Sequence, residues 1–180
     1  MSKIHISGIL ARDLNKGIGK NGKMPWHIPE DFKHFKRYTQ DKVCVMGRKT
    51  FEDIISYKKE MKGPVLLNRH CVVLTSDPDK YDKLGLENVQ FEKVGSLNAL
   101  RQATAEGLLG PKVCVVGGAS VFEAFAGAYN ELSITSVWKE FDCDTFIDIL
   151  KITEGMDTCV QAFEIDTGKD YGADVMVLAP

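Results

Sequence analysis

The sequence predicts an α/β fold: a single domain over residues 1–180, built on a mainly parallel central sheet with an antiparallel edge supplied by the C-terminal third. Three observations lead there. A chain of 180 residues, 44% hydrophobic and 27% charged, buries one sizeable core and is too short for two ordinary domains. From His5 to Ala126, short apolar runs closed by turn residues alternate with segments of helical periodicity, the pattern of parallel strands bridged by helices. Beyond Asn130 strand-like segments dominate.

Taken in order, His5 to Ala11, Val43 to Met46, Cys71 to Thr75 and Val113 to Val116 are short apolar runs, as expected of strands covered on both faces. The helical segments between them are Glu30 to Thr39, Thr50 to Tyr57, Ser96 to Glu106 and Ala119 to Ala126. In the last of these Val121, Phe122 and Phe125 share one face. Glu131 to Val137, Thr158 to Asp166 and Ala173 to Ala179 then read as strands, with the turn Thr167-Gly168-Lys169-Asp170 before the last. No internal repeat, low-complexity stretch or linker divides the chain.

The formal charge of −2 comes from interleaved acids and bases, so nothing global attracts nucleic acid or an anionic membrane, and any anionic ligand must be caught locally. Met1 to Gly8 has no apolar leader core, and no run approaches the roughly 20 apolar residues that span a bilayer. The expectation is a cytoplasmic protein. Its five cysteines include no C-x-x-C pair, and Cys44, Cys71 and Cys114 sit inside apolar runs, as small core residues in a reducing compartment do. The four histidines show no ligand spacing, so no metal site is expected.

Four stretches carry candidate chemistry. Gly17-Ile18-Gly19-Lys20-Asn21-Gly22 matches the dinucleotide fingerprint in letters, but that motif must open a helix, and Pro25 and Pro29 around Trp26 forbid one at Gly22. The stretch reads instead as a glycine-jointed mobile loop able to close over a site. Next, Pro29 makes a good helix start, and Asp31 falls on a face with Phe35 and beside Phe32. An acid among aromatics is partly desolvated, which suits proton traffic or a cationic amidine-like edge; an acid that merely complements the helix dipole fits the spacing as well.

Third, Val43 to Gly47 is a strand ending in glycine that turns at once into a helix, and Arg48, Lys49 and Thr50 with the first-turn N–H groups form a phosphate site. Two cations there favour the extra 2′-phosphate of NADP, and a solvated basic turn is the bland alternative. Fourth, Val113 to Val116 runs into Gly117-Gly118 and a helix, where the backbone can approach an anion closely. Two such turns at the carboxyl ends of buried strands are the layout of a nucleotide crossing an open α/β sheet.

Met24-Pro25-Trp26-His27-Ile28-Pro29-Glu30-Asp31-Phe32, Met46-Gly47-Arg48-Lys49-Thr50-Phe51 and Val116-Gly117-Gly118-Ala119-Ser120-Val121-Phe122 together resemble the three signatures of the dihydrofolate reductase family, in order and separation. The resemblance implies an eight-stranded sheet flanked by about four helices, and a monomer that passes a hydride from NADPH to dihydrofolate. It makes Asp31 the active-site carboxylate, with Trp26 holding a water near it, Thr135 bonding to it and Met24 on the closing loop. Ile9 and Val116 offer carbonyls to the pterin, Phe32, Phe35, Ile54 and Leu66 wall the substrate, and Arg69 clamps its α-carboxylate. For NADPH it implies Ala11 and Ile18 at the nicotinamide, Gly47, Arg48, Lys49 and Thr50 at the phosphates, and Gly117, Gly118, Ala119, Ser120 and Val121 along the pyrophosphate. Thr75 and Ser76 belong to the adenosine end, and the two glycines share a cis peptide.

The chain departs from the family pattern at three residues and in one segment, Ile55 to Val65, which includes Lys58-Lys59-Glu60 and is longer than in the shortest members. Ala119 stands for a third glycine, Ser120 for an arginine that leaves Arg48 as the main 2′-phosphate contact, and Phe122 for a tyrosine common in bacterial members. Two other readings compete: an NADPH reductase of the same fold, such as the pyrimidine reductase of riboflavin synthesis, and a non-catalytic nucleotide-binding module. The first has no use for the Trp26 and Asp31 pair or for Arg69, and an intact Asp31 fits the second poorly.

Overall fold

A computed structural model describes residues 4–93, 95 and 97–180. In chain order the elements are β1 (His5–Arg12), β2 (Gly17–Gly19), α1 (Pro29–Tyr38), β3 (Val43–Gly47), α2 (Arg48–Ser56), β4 (Gly63–Pro64), β5 (His70–Thr75), a 3₁₀ segment (Pro78–Leu84), β6 (Leu86–Glu87) and β7 (Val89–Lys93). There follow α3 (Leu97–Ala105), β8 (Lys112–Gly117), α4 (Ala119–Ala124), β9 (Glu131–Val137), β10 (Thr145–Phe146), α5 (Ile149–Ile152), β11 (Thr158–Ile165) and β12 (Ala173–Ala179). The expected start of α3 at Ser96 lies outside the described residues.

One sheet of eight strands runs in the order β11-β12-β9-β1-β8-β3-β5-β7. Every pairing from β9 to β7 is parallel, and β12 runs antiparallel to both β9 and β11, so it alone opposes the rest. The strand alternation sorts side chains to two faces. Val45, Val72, Val113 and Val115 go to one, under Leu100 of α3 and Phe122 and Phe125 around α4. Cys44, Met46, Cys71, Val73 and Cys114 go to the other, against Phe51 and Ile55 of α2. Burial on both faces is why these strands read as unbroken apolar runs.

Cys44 is the register partner of both Cys71 and Cys114, so three thiols cross β5, β3 and β8 in a row, each with no exposed surface. Burial pushes the thiol of Cys71 up to about 12 and that of Cys114 up to about 11. They are inert core atoms in this state.

Several elements have no apolar-run signature. β7, at the sheet edge, mixes exposed and half-buried residues, and β2, β4, β6 and β10 are two or three residues long. The Gly17 to Gly22 stretch begins in a short strand and is tied to residues of the C-terminal third. β2 pairs with β10, and the wholly buried Asp13 accepts hydrogen bonds from Asn15 N (2.9 Å), Gly17 N (2.8 Å) and Phe141 N (2.9 Å). Asn21 N donates to Asp144 Oδ2 at 2.9 Å, and Lys20 pairs with Asp142 at 3.0 Å. Gly17 is required for space, because a Cβ there would lie 2.5 Å from Cys143.

Candidate active site

A cavity of about 1090 Å³ opens at the carboxyl ends of four adjacent strands, β1, β8, β3 and β5. Its floor is Ile9, Leu10 and Ala11 of β1 with Val116 and Gly117 of β8. This is where ligands lie in open α/β sheets, and the volume is at the top of the range for one drug-sized ligand. The cavity has two chemically different ends. Phe32 and Phe35 of α1, Ile54 of α2 and Leu66 make an apolar end, with Ile18 of β2 and Met24 also on the lining. The other end is polar: Gly47, Arg48, Lys49 and Thr50 from the β3–α2 junction, Gly117, Gly118, Ala119, Ser120 and Val121 from the β8–α4 junction, and Thr75 and Ser76 at the end of β5.

The two turns are neighbours because Met46 is the register partner of Gly117. Gly47 and Gly118, at the N-caps of α2 and α4, make no side-chain cap bond, so no cap side chain takes up the first-turn N–H groups. Gly117 has φ +135° and a cis peptide to Gly118, and a Cβ on it would meet Thr50 Oγ1 at 2.9 Å. Only glycine leaves this cradle open. Arg48, at the cavity edge, gives Nη1 to Glu52 Oε2 at 2.6 Å, and Glu52 Oε1 accepts from Tyr81 (2.6 Å) and Lys80 (3.2 Å). Burial works against the Glu52 charge, but those hydrogen bonds and the two cations hold its carboxyl below the usual carboxylate range.

Asp31 stands just behind the apolar end. Pro29 opens α1, and Asp31 in its first turn accepts a hydrogen bond from Thr135 Oγ1 at 2.6 Å. Thr135 is buried on β9 and is the register partner of the cavity-lining Ala11. Burial raises the Asp31 carboxyl above its ordinary value, and the Thr135 hydrogen bond opposes this without cancelling it. Trp26, 3% exposed, packs its ring on Phe141 at 5.2 Å, and its Nε1 has no acceptor among the described residues. A half-buried acid with a raised pKa and one hydroxyl donor can hold a proton or bind an amidine edge.

Of the residues singled out in the sequence, Asp31, Trp26, Thr135 and Arg69 lie outside the cavity lining, and the others lie on it. Arg69 is 6% exposed, with Nε on Leu67 O (2.9 Å) and Nη1 on Thr39 Oγ1 (2.8 Å). Those two bonds use two of the five guanidinium N–H donors, so Nη1 and Nη2 keep donors for a carboxylate while Thr39 holds the group in place. The sequence reading missed Asp53, which lines the cavity with a carboxyl raised by burial and Oδ1 unpartnered among the described residues. Its spacing of three from Thr50 was a usable signal. His27, tilted against Phe32 at 5.1 Å, and Tyr57, edge-on to it at 5.9 Å, both line the cavity and were missed as well.

The sequence profile of dihydrofolate reductase matches residues 5–179. The chain belongs to the dihydrofolate reductase family. It is 42% identical over 132 residues to dihydrofolate reductase HdrB of Haloferax volcanii, a match covering 73% of this chain and 64% of that protein. The matched stretch is thus just under two thirds of the Haloferax protein. With the dihydrofolate reductase of Bacillus subtilis (strain 168) identity is 34% over 140 residues, covering 77% and 73% of the two chains. A solved dihydrofolate reductase from Enterococcus faecalis, complexed with NADP(H) and RAB-propyl, superposes with a TM-score of 0.74 at 30% identity, over 97% of this chain and 95% of that one.

Within this dihydrofolate reductase fold the three single-residue departures all fall on α4. Ala119 and Ser120 line the polar end, and Phe122 is 3% exposed beneath it. Ser120 brings no charge to the cavity, which leaves Arg48 and Lys49 as the cations on that wall.

Proposed function

We propose that the chain is a working dihydrofolate reductase, reducing 7,8-dihydrofolate to tetrahydrofolate with NADPH. The observation that carries this reading is the two-ended cavity: a raised, hydroxyl-bonded carboxyl behind its apolar end and two open glycine turns with cations at its polar end. NADPH, when bound, supplies the hydride. The room at Gly117 and the bare helix starts at Gly47 and Gly118 fit a pyrophosphate along Gly117 to Val121, with Lys49 and Thr50 on the phosphates and Arg48 on the 2′-phosphate. Thr75 and Ser76 take the adenosine end, and Ala11 and Ile18 the nicotinamide end.

On the substrate side, Ile9 and Val116 present carbonyls to the pterin while Phe32, Phe35, Ile54 and Leu66 exclude water around it. Asp31 holds the amidine edge and raises the chance that N5 is protonated when the hydride arrives; Thr135 keeps that carboxyl in place. The indole N–H of Trp26, which has no acceptor among the described residues, holds a water for the proton path. Met24 closes the site, and Arg69, held by Thr39 and the Leu67 carbonyl, takes the substrate's α-carboxylate with its remaining N–H groups. The chemistry is that of the cofactor, and the protein contributes placement and one proton.

The same reading makes the protein a cytoplasmic monomer that takes small molecules and not nucleic acid. The mixed-sign surface charge and the three buried free thiols support it. The test is loss of nicotinamide absorbance with NADPH and dihydrofolate, for wild type and Asp31→Asn. Turnover that the substitution lowers by about 10²-fold supports the assignment. Folded wild type that binds NADPH and leaves dihydrofolate unreduced refutes it, and turnover of a pyrimidine substrate in its place points to the riboflavin-type reductase.

A further inference from the structure

Two side-chain hydrogen bonds, one helical turn apart, fasten α1 to the sheet. Thr135 donates to Asp31 at 2.6 Å, and His34 Nε2 shares a hydrogen bond with Ser133 Oγ at 2.7 Å. Asp31 and His34 are three apart on α1, and Ser133 and Thr135 are two apart on β9, so both pairs join the same helix face to the same sheet face. His34 is 6% exposed and Ser133 is wholly buried. The imidazole is also flanked by the ring of Phe163 on β11 at 5.5 Å and by that of Tyr38 at 5.7 Å.

Neither His34 nor Ser133 lines the cavity, so neither touches a ligand there. Burying a polar pair costs desolvation that an apolar pair of like size avoids, so its return is in geometry. Apolar contacts alone let a helix settle at more than one rotation, whereas a hydrogen bond of fixed length admits one. On its own helix His34 has Asp31, Arg37 and Tyr38 as titratable or charged neighbours; burial, with the Arg37 charge, keeps the imidazole below its ordinary pKa and hence neutral near pH 7.

We infer that His34 and Ser133 are positioning residues for the proton-handling carboxyl: their hydrogen bond sets the rotation of α1 over β9 and thereby holds Asp31 against Thr135. The inference rests on the role given to Asp31 above. Loss of the bond leaves the polar end of the cavity intact and lets the first turns of α1 roll, which misplaces Asp31.

The experiment is single-turnover hydride transfer in His34→Leu, His34→Gln and Ser133→Ala, each alone and combined with Asp31→Asn, with NADP⁺ affinity read by tryptophan fluorescence. His34→Leu and Ser133→Ala are expected to slow hydride transfer about tenfold with NADP⁺ affinity unchanged, the scale of a small misplacement of a reacting group. His34→Gln, which can restore a bond to Ser133, recovers to within about threefold of wild type, well inside that loss. In the Asp31→Asn background none of the three adds a further loss, because a group that acts through Asp31 has nothing left to position. Wild-type rates in folded His34→Leu and Ser133→Ala, or losses that multiply in full with that of Asp31→Asn, overturn the inference while leaving Asp31's role standing. Full activity in Asp31→Asn alone removes that role, and the inference with it. If His34→Leu does not fold, Ser133→Ala tests the same bond from the strand side.

Discussion

Replacing Gly117 with alanine tests the cradle at the junction of the two glycine turns. Its φ of +135° is a region that side-chain-bearing residues avoid at a cost of about 1–3 kcal/mol. The added Cβ would stand 2.9 Å from Thr50 Oγ1 and 3.3 Å from Thr50 Cγ2, an overlap that costs about 1–3 kcal/mol unless the threonine turns away. Alanine also narrows the unfolded ensemble, which returns about 0.4–1 kcal/mol. The net expectation is a loss near 3 kcal/mol, or a fall in Tm of about 6–12 °C for a chain of this size. Urea titration of Gly117→Ala against Gly118→Ala measures it. Gly118 is the right control because its φ is −85° and its added Cβ meets Thr50 Oγ1 at an ordinary 3.7 Å. NADP⁺ affinity should fall with Gly117→Ala too, as Thr50 is displaced. If the two variants lie within about 0.5 kcal/mol of each other, the size usual for a surface change, the cradle argument is wrong.

Three more outcomes follow from the site. The folded state holds the Asp31 pKa above its unfolded value, so its stabilising contribution is complete below the unfolded pKa and is lost as pH rises through the folded one. Asp31→Asn should therefore raise Tm at neutral pH, with the gain vanishing below about pH 4, and thermal scans across pH that show no gain at neutrality count against the burial argument. Thr135→Val removes the donor that opposes burial; the Asp31 pKa should rise further, carrying the high-pH fall in turnover to higher pH, and a profile displaced downward contradicts the assignment. Arg48→Gln should weaken NADP⁺ binding about tenfold or more while sparing NAD⁺, as expected of a charge-assisted phosphate contact, and calorimetry showing equal losses for both places Arg48 away from the 2′-phosphate.

What was legible in the sequence was whatever the chain states locally. β1, β3, β5 and β8 declared themselves because burial on both faces leaves unbroken apolar runs, and the glycine turns because a strand ending in glycine beside a helix start is a local event. β7 was missed because an edge strand keeps half its surface wet and its pattern mixed. The pinning of the Gly17–Gly22 loop was invisible for a different reason: its partners Phe141 and Asp144 lie more than 100 residues away, and an isolated Asp13 gives no sign that it will be wholly buried. Distance in sequence also hid the second hydrogen bond under α1, since His34 and Ser133 are 99 positions apart. Thr135 was named only through family resemblance, and its bond spans 104.

The row of Cys71, Cys44 and Cys114 gives the molecule a chemical stopwatch. An alkylating reagent cannot reach these sulfurs, and the protonated thiols do not react, until the middle of the sheet opens. Exposed Cys159 would be modified at once and serves as the zero of time. The strands that carry the row, β5, β3 and β8, are the strands whose carboxyl ends hold the cavity turns, so any occupant of the polar end must slow the labelling in proportion to how tightly it is held. Ligand affinity at those turns can thus be timed by mass spectrometry in a protein that never turns over.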